Sequence, residues 1–373
     1  MSVIEKVCLM NPGPVTLSRR VRQALQRPDL CHREPDFAAL QNDVRDRLVR
    51  VYPAAERDFV AVLLTGSGTA AVEAMVGSLV PHAGKAVVVE NGIYGERISA
   101  MLRVQGKHFA VVRSDWTEPM DVAAVARTLE DDPAVTHVIA VHHETTTGRL
   151  NDIRALGSIC KQRGVPLLLD TVSSFGGEEI DFAAWNVEAC ASTANKCLHG
   201  VPGICFVIVR KDILTKRASA AVSLYLDLFR NYEEQCKGYP LFTPAVQSLY
   251  GLQEALGELQ ESGGWEARQS HYSKLSRLIR TGLRERGAPL LLQGDHCYSA
   301  TLTSFYLPVG VEFRPLYERL RRTGFVIYPG VHWLAATVFR VAVMGDLTRR
   351  DAIRFLDAFS EATTAAVSYS PRR

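Results

Sequence analysis

Short apolar runs alternate with longer stretches of helical periodicity over the first two-thirds of this chain, and that alternation limits the possible folds most severely. The runs are Val60–Leu64, Ala86–Val89, Phe109–Val112, His137–Val141 and Pro166–Leu169. Each is almost continuously apolar, as in a strand covered on both faces. Between them, Thr69–Val80 places Val72, Met75, Val76 and Leu79 on one helical face. Ile153–Arg163 runs into Gly164, a residue suited to a helix C-terminal cap. Strand–helix alternation of this kind predicts an α/β fold with a mostly parallel, doubly wound sheet.

The pattern changes near residue 260. A long helix is expected over Pro244–Leu259, and Glu261-Ser262-Gly263-Gly264 breaks it. Beyond lie a helix near Gln269–Arg286, a strand at Thr301–Leu307, a helix at Arg314–Thr323, strands at Phe325–Tyr328 and Val338–Val343, and a last helix near Arg349–Glu361. This α+β pattern divides the chain into a large domain over 16–260, a smaller C-terminal domain over 261–373, and an N-terminal segment, 1–15, joining them. The tail Ser368–Arg373 is expected to fray.

Composition narrows the function. The net charge of +3 over 373 residues gives no reason to expect nucleic acid, which demands a clustered basic face. It leaves room for one locally basic pocket and a small anionic substrate. The 8 cysteines include no Cys-x-x-Cys pair, so zinc-ribbon and thioredoxin-like readings lack support. Several sit in apolar runs such as Cys205–Val209, which reads as buried free thiols in a reducing cytoplasm. No basic-then-apolar leader opens the sequence, and no apolar run reaches the roughly 18–20 residues of a membrane span. A soluble cytoplasmic protein is expected, without nucleic-acid or membrane partners.

Three features carry chemistry, and their order matters. Gly66-Ser67-Gly68-Thr69 follows the first strong strand and opens a helix, where backbone N–H groups and the helix dipole favour an anion. A tight strand–helix connection can also demand glycine for steric reasons alone. It is not a P-loop, because no Gly-Lys-Ser/Thr follows at the required spacing. Asp170 ends the run Leu167-Leu168-Leu169, at the carboxyl end of a strand where ligands of parallel sheets gather. A carboxylate there needs a cationic partner, although a helix-capping role also fits. Lys196, in Ala191-Ser192-Thr193-Ala194-Asn195-Lys196-Cys197, follows the next expected strand. A sheltered amine has its pKa lowered by desolvation, which makes it nucleophilic at neutral pH. An anion cup, a partner for a protonated ring nitrogen and a reactive amine are together what pyridoxal phosphate requires of a protein.

Two further positions stand out. Arg340 interrupts the apolar strand Val338–Val343 and needs an anion, either a structural carboxylate or a substrate. His142-His143-Glu144 contains metal-ligating side chains, but adjacent histidines on a strand point to opposite faces, so no metal is expected.

The chain also resembles the 2-aminoethylphosphonate:pyruvate aminotransferases, within the fold-type I pyridoxal-phosphate enzymes that include alanine:glyoxylate aminotransferase. The matching segments include Asn11-Pro12-Gly13-Pro14, Cys31-His32-Arg33-Glu34, Gly66–Ala70, Asn91–Arg97 and His143–Gly148. They continue, in order, through Asp170–Gly177, Ala194–Cys197, Gly200–Gly203 and Gly324–Gly330. The resemblance implies that Ser67, Gly68 and Thr69 bind the cofactor phosphate, with Asn195 assisting. Tyr94 would stack on the ring, Val172 would pack beneath it, and Thr145 would approach its hydroxyl. Asp170 would pair with the ring nitrogen and Lys196 would carry the cofactor as a Schiff base. Thr243, with Tyr239, would reach the phosphate from a neighbouring subunit, making a homodimer the working unit. Arg340 would hold the acidic group of the substrate. Tyr94 as a core aromatic and Thr243 as a cap before Pro244 remain open.

The activity so implied is transamination between 2-aminoethylphosphonate and pyruvate, giving phosphonoacetaldehyde and alanine, or the reverse. Competing readings are a transaminase for another small acid (phosphonopyruvate/phosphonoalanine or alanine/glyoxylate), a pyridoxal-phosphate lyase or desulfurase, and a non-catalytic phosphate-binding module. One departure bears on substrate. After the arginine the relatives tend to read Ile-Gly-Asn-Ile-Gly, whereas here the run is Val341-Ala342-Val343-Met344-Gly345.

Overall fold

A computed structural model describes residues 6–367. The tail expected to fray, 368–373, lies outside the described residues, as do the first five. A seven-stranded sheet forms the centre. Across it run Phe59–Gly66, Gly203–Arg210, Val187–Thr193, Leu167–Asp170, Val135–Val141, Lys85–Glu90 and His108–Arg113. All are parallel except Gly203–Arg210, which is antiparallel to both its neighbours. The apolar runs work as expected: Leu168 and Leu169 point into two different cores on opposite faces, both fully buried. The run Cys205–Val209, notable in the sequence for its thiol, belongs to the antiparallel strand. An antiparallel partner allows a short return loop, which parallel strands cannot use. That loop, 194–202, holds Lys196 between two paired strands.

One strand departs from expectation. His108–Arg113 is the sheet edge, pairing only with Lys85–Glu90, and its Val111 is 38% exposed. Arg103 lays its guanidinium over Phe109, 5.7 Å from the ring centre. Of the free cysteines, Cys8, Cys160, Cys190, Cys197 and Cys205 are buried as anticipated, while Cys31 and Cys236 are exposed.

The helix expected before the break at 261–264 spans Val246–Glu261. Its successor begins at Gly264, earlier than periodicity suggested, because Gly263 takes φ +97° and reverses the chain at once. The strand expected at Phe325–Tyr328 splits in two. Phe325–Val326 pairs in parallel with Cys8–Leu9, and Tyr328–Pro329 pairs with Val338–Ala342, which lies at the centre of a three-stranded sheet beside Leu302–Tyr306. The N-terminal segment therefore packs with the C-terminal part: Cys8, Met10 and Val15 share a core with Tyr272, Phe339 and Phe355.

Candidate active site

The carboxyl ends of the parallel strands converge on one rim, and the sequence-predicted residues follow them directly. Gly66 ends the first strand, and the helix Gly68–Leu79 begins after Ser67. No side chain caps this helix, so its first N–H groups have no side-chain acceptor within the protein. A methyl group at Gly68 would lie 2.8 Å from both γ-carbons of Val172, so only glycine lets the turn settle against that side chain. Thr69 receives a long hydrogen bond from Arg97, 3.4 Å, and the Arg97 guanidinium sits 4.7 Å from the centre of the Tyr94 ring. Thr69, Tyr94, Arg97, Asp170 and Val172 line one small cavity.

Asp170 is buried at the strand end, where its Oδ1 accepts the Val172 N–H at 2.9 Å. It forms none of the ion pairs found among the described residues. Burial pushes its pKa up to about 6, against the Val172 hydrogen bond and the charges of Arg97 and Lys196. Lys196 is partly accessible and donates from Nζ to the Pro12 carbonyl. Desolvation lowers its pKa to about 8, with Arg340 pushing the same way and Cys197 and Asp170 opposing. Beside it, Asn195 accepts from the Thr193 hydroxyl at 2.8 Å.

Arg340 is buried in the middle strand of the small sheet. Its Nε donates to the Pro329 carbonyl at 3.0 Å and its Nη1 to the Thr145 carbonyl at 2.9 Å. No carboxylate pairs with it among the described residues, and burial lowers its pKa from the ordinary value. A guanidinium fixed by two carbonyls without a counter-ion is arranged to receive an anion. Lys196 thus lies close enough to both Asp170 and Arg340 for their charges to act on it.

Two candidates stand apart from this group within a single protomer. Tyr239 and Thr243 are exposed, and Thr243 lines a separate cavity with Tyr225 and Phe242. The run Val341–Met344 after the arginine, where the relatives differ, lies in the small-sheet core. Met344 is fully buried in the small-sheet core, its sulfur 3.7 Å from that of Cys197, while the Ala342 N–H bonds the Met10 carbonyl. The apolar substitutions fill a core under the lysine loop.

Several residues near the site carried no role in the sequence reading. Pro12-Gly13 closes over the lysine: a methyl at Gly13 would lie 2.8 Å from Nζ. Arg97 lies one helical turn after Tyr94, at the end of the matching segment Asn91–Arg97, but no role was read for it. His142 and His143 are both buried, with pKa values lowered by burial to about 3 and about 4, so both are neutral at pH 7. His142 packs edge-on to Trp185, whereas His143 Nδ1 lies 2.9 Å from the Ser173 carbonyl. Glu144, between them and Thr145, is also buried.

Pyridoxal phosphate fits what these residues offer. The uncapped helix start and glycine cradle suit a phosphate, the unpaired buried carboxylate suits a protonated ring nitrogen, and the amine of lowered pKa suits an aldehyde. The architecture is that of the fold-type I pyridoxal-phosphate-dependent aminotransferases. A pyridoxamine–pyruvate aminotransferase from Mesorhizobium loti superposes with a TM-score of 0.90 at 26% identity, covering 98% of this chain and 94% of its own. Within that class the chain belongs to the class-V aminotransferase family, whose sequence profile matches residues 21–350. Two relatives are similar over nearly their whole length, both 2-aminoethylphosphonate–pyruvate transaminases. One, from Bacillus mycoides (strain KBAB4), is 38% identical over 95% of this chain and 97% of its own. The other, from Syntrophobacter fumaroxidans (strain DSM 10017 / MPOB), is 38% identical over 95% of each.

Proposed function

We propose that this chain transfers the amino group of 2-aminoethylphosphonate to pyruvate, with pyridoxal phosphate held on Lys196. The observation that carries the substrate half is Arg340, a buried guanidinium without a counter-ion that shares its surroundings with a lysine of lowered pKa. Its planar fork accepts a phosphonate in one half-reaction and a carboxylate in the other. The names of the two relatives point the same way.

Pyridoxal phosphate supplies an aldehyde that takes up the amino group and a ring that draws electrons from the adjoining carbon. Ser67, Gly68 and Thr69 hold its phosphate at the helix start, with Asn195 alongside. Tyr94 would lie against one face of the ring and Val172 against the other, and Thr145 would meet its hydroxyl. Asp170 keeps the ring nitrogen protonated. Lys196 would hold the cofactor through its aldehyde, and its neutral Nζ would serve as the base that takes the proton from the substrate carbon. Thr243 and Tyr239 reach the phosphate of a second copy. The exposed apolar side chains Val222, Leu224, Tyr225 and Tyr239 support that homodimer, because a surface of this kind is stabilised by being covered. The same reading divides the chain into a cofactor-binding domain over 16–260 and a smaller domain over 261–373. Free thiols support a cytoplasmic setting, and no described helix is long and apolar enough to cross a membrane.

The test is a donor and acceptor panel: alanine must form from pyruvate when 2-aminoethylphosphonate is the donor. Failure with that donor and turnover with another amino acid would replace the substrate assignment. Arg340→Lys keeps the charge but loses the fork. It is expected to raise KM for 2-aminoethylphosphonate by about 10–100-fold, the equivalent of one charge-assisted hydrogen bond. An unchanged KM would remove Arg340 from the substrate site.

A further inference from the structure

Glu144 is a buried carboxylate with no cation within ion-pair distance among the described residues, and every hydrogen bond it accepts comes from the chain beside the proposed site. Its Oε2 accepts the Tyr94 N–H at 3.2 Å. Its Oε1 accepts the Thr146 N–H at 3.0 Å and the Thr146 hydroxyl at 2.5 Å. That hydroxyl in turn accepts the Ile93 N–H at 3.0 Å. The carboxyl occupies the space a side chain at position 92 would take: a methyl on Gly92 would stand 2.3 Å from its Cδ. One carboxylate thus joins two segments. The first, 92–94, carries Tyr94. The second, 144–146, carries the Thr145 carbonyl that receives Arg340 Nη1.

We infer that Glu144 is a positioning residue that fixes the ring-facing Tyr94 and the anion-holding Arg340 relative to each other. A buried acidic group is costly unless its oxygens are satisfied. Here three donors from two segments satisfy them, so both segments must stay in place for the carboxyl to remain buried. The coupling reaches Arg340 through a single residue, because the Thr145 carbonyl follows Glu144 directly. Neutralising the carboxyl as glutamine is not a silent change. Its amide would turn an N–H toward either the Tyr94 or the Thr146 N–H, donor facing donor, and release one of the two segments. The inference rests on the proposed function only for the roles of Tyr94 and Arg340; the coupling itself is geometric.

The experiment compares Glu144→Gln, Thr146→Val and Thr146→Ser with the parent. Hydrogen exchange is measured on the cofactor-free protein, and KM, kcat and visible circular dichroism on the loaded protein. In Glu144→Gln, amide exchange over 92–95 and 145–148 is expected to speed up at least tenfold. KM for the anionic amino donor should rise about tenfold while kcat stays within threefold, and the dichroism of the bound cofactor should change. Thr146→Val should fall between Glu144→Gln and the parent, and Thr146→Ser, which keeps the hydroxyl, should match the parent. Should Glu144→Gln fail to fold, the two Thr146 variants still decide. Parent-like exchange in both segments overturns the inference, as does a lower Tm with KM and dichroism unchanged. A parent that ignores 2-aminoethylphosphonate overturns the substrate assignment, while the exchange measurement still tests the coupling.

Discussion

Lys196→Ala protein is expected to lose at least about 10³-fold in kcat/KM, and to lose the absorption band of a cofactor joined to the chain. Two proposed roles would fall together, the covalent anchor and the base that moves the proton, the latter alone accounting for about 10²–10⁴-fold. The fold should survive, because Lys196 stands in a return loop and its side chain's hydrogen bond is to the Pro12 carbonyl, while the backbone bond from His199 is kept by alanine. The lowered pKa adds a pH test. Addition to an aldehyde needs the neutral amine, and burial holds Lys196 near 8. Capture of pyridoxal phosphate by the cofactor-free protein, followed by absorbance after rapid mixing, should therefore accelerate about tenfold per pH unit below 8 and level off above it. A variant that keeps both the parent's band and its turnover would show that another amine does this work.

What the sequence made legible was whatever depends on local order. The strand ends at Gly66 and Asp170 follow from apolar runs that stop abruptly, so those residues could be read as lying at carboxyl ends of strands, where ligands gather. What depends on long-range contact was less visible. Nothing in the run Cys205–Val209 distinguishes an antiparallel strand from a parallel one, yet that strand pins the lysine loop. The edge position of His108–Arg113 is a property of the sheet, and Phe109–Val112 alone reads as buried. The run Val341–Gly345 stood out only as a departure from the relatives, and its local sequence does not show that Met344 turns toward Cys197. Glu144 looked like part of a metal-like triplet, and only its contacts with Tyr94 and Thr146, 50 and 2 residues away, show what it holds.

Asp170→Asn is expected to have opposite effects on stability and on activity. With a carboxyl held at about 6 by burial, against an ordinary 3.8, the folded state carries a cost of about 3 kcal/mol at neutral pH. The direction follows from the raised value. The cost is absent below about pH 3.8, develops as pH rises toward 6, and is complete above it. Asparagine keeps an oxygen for the Val172 N–H and removes the charge, but leaves an amide to satisfy, for a net gain of about 2 kcal/mol. Cofactor-free Asp170→Asn should therefore unfold at a higher temperature than the parent at pH 7.5, by a margin that holds down to about pH 6 and narrows below it. Activity should move the other way. A neutral amide cannot hold a proton on the ring nitrogen, and losing such a preorganised charge costs on the order of 10³-fold in kcat. Loading with cofactor should shrink or reverse the stability gain, because the protonated ring then pairs with the parent's carboxylate and not with the amide. Equal unfolding temperatures at pH 7.5, or full activity in the variant, would mean that Asp170 is neither strained by burial nor matched to a cationic ring. Either result would leave the rim of the sheet without its defining charge.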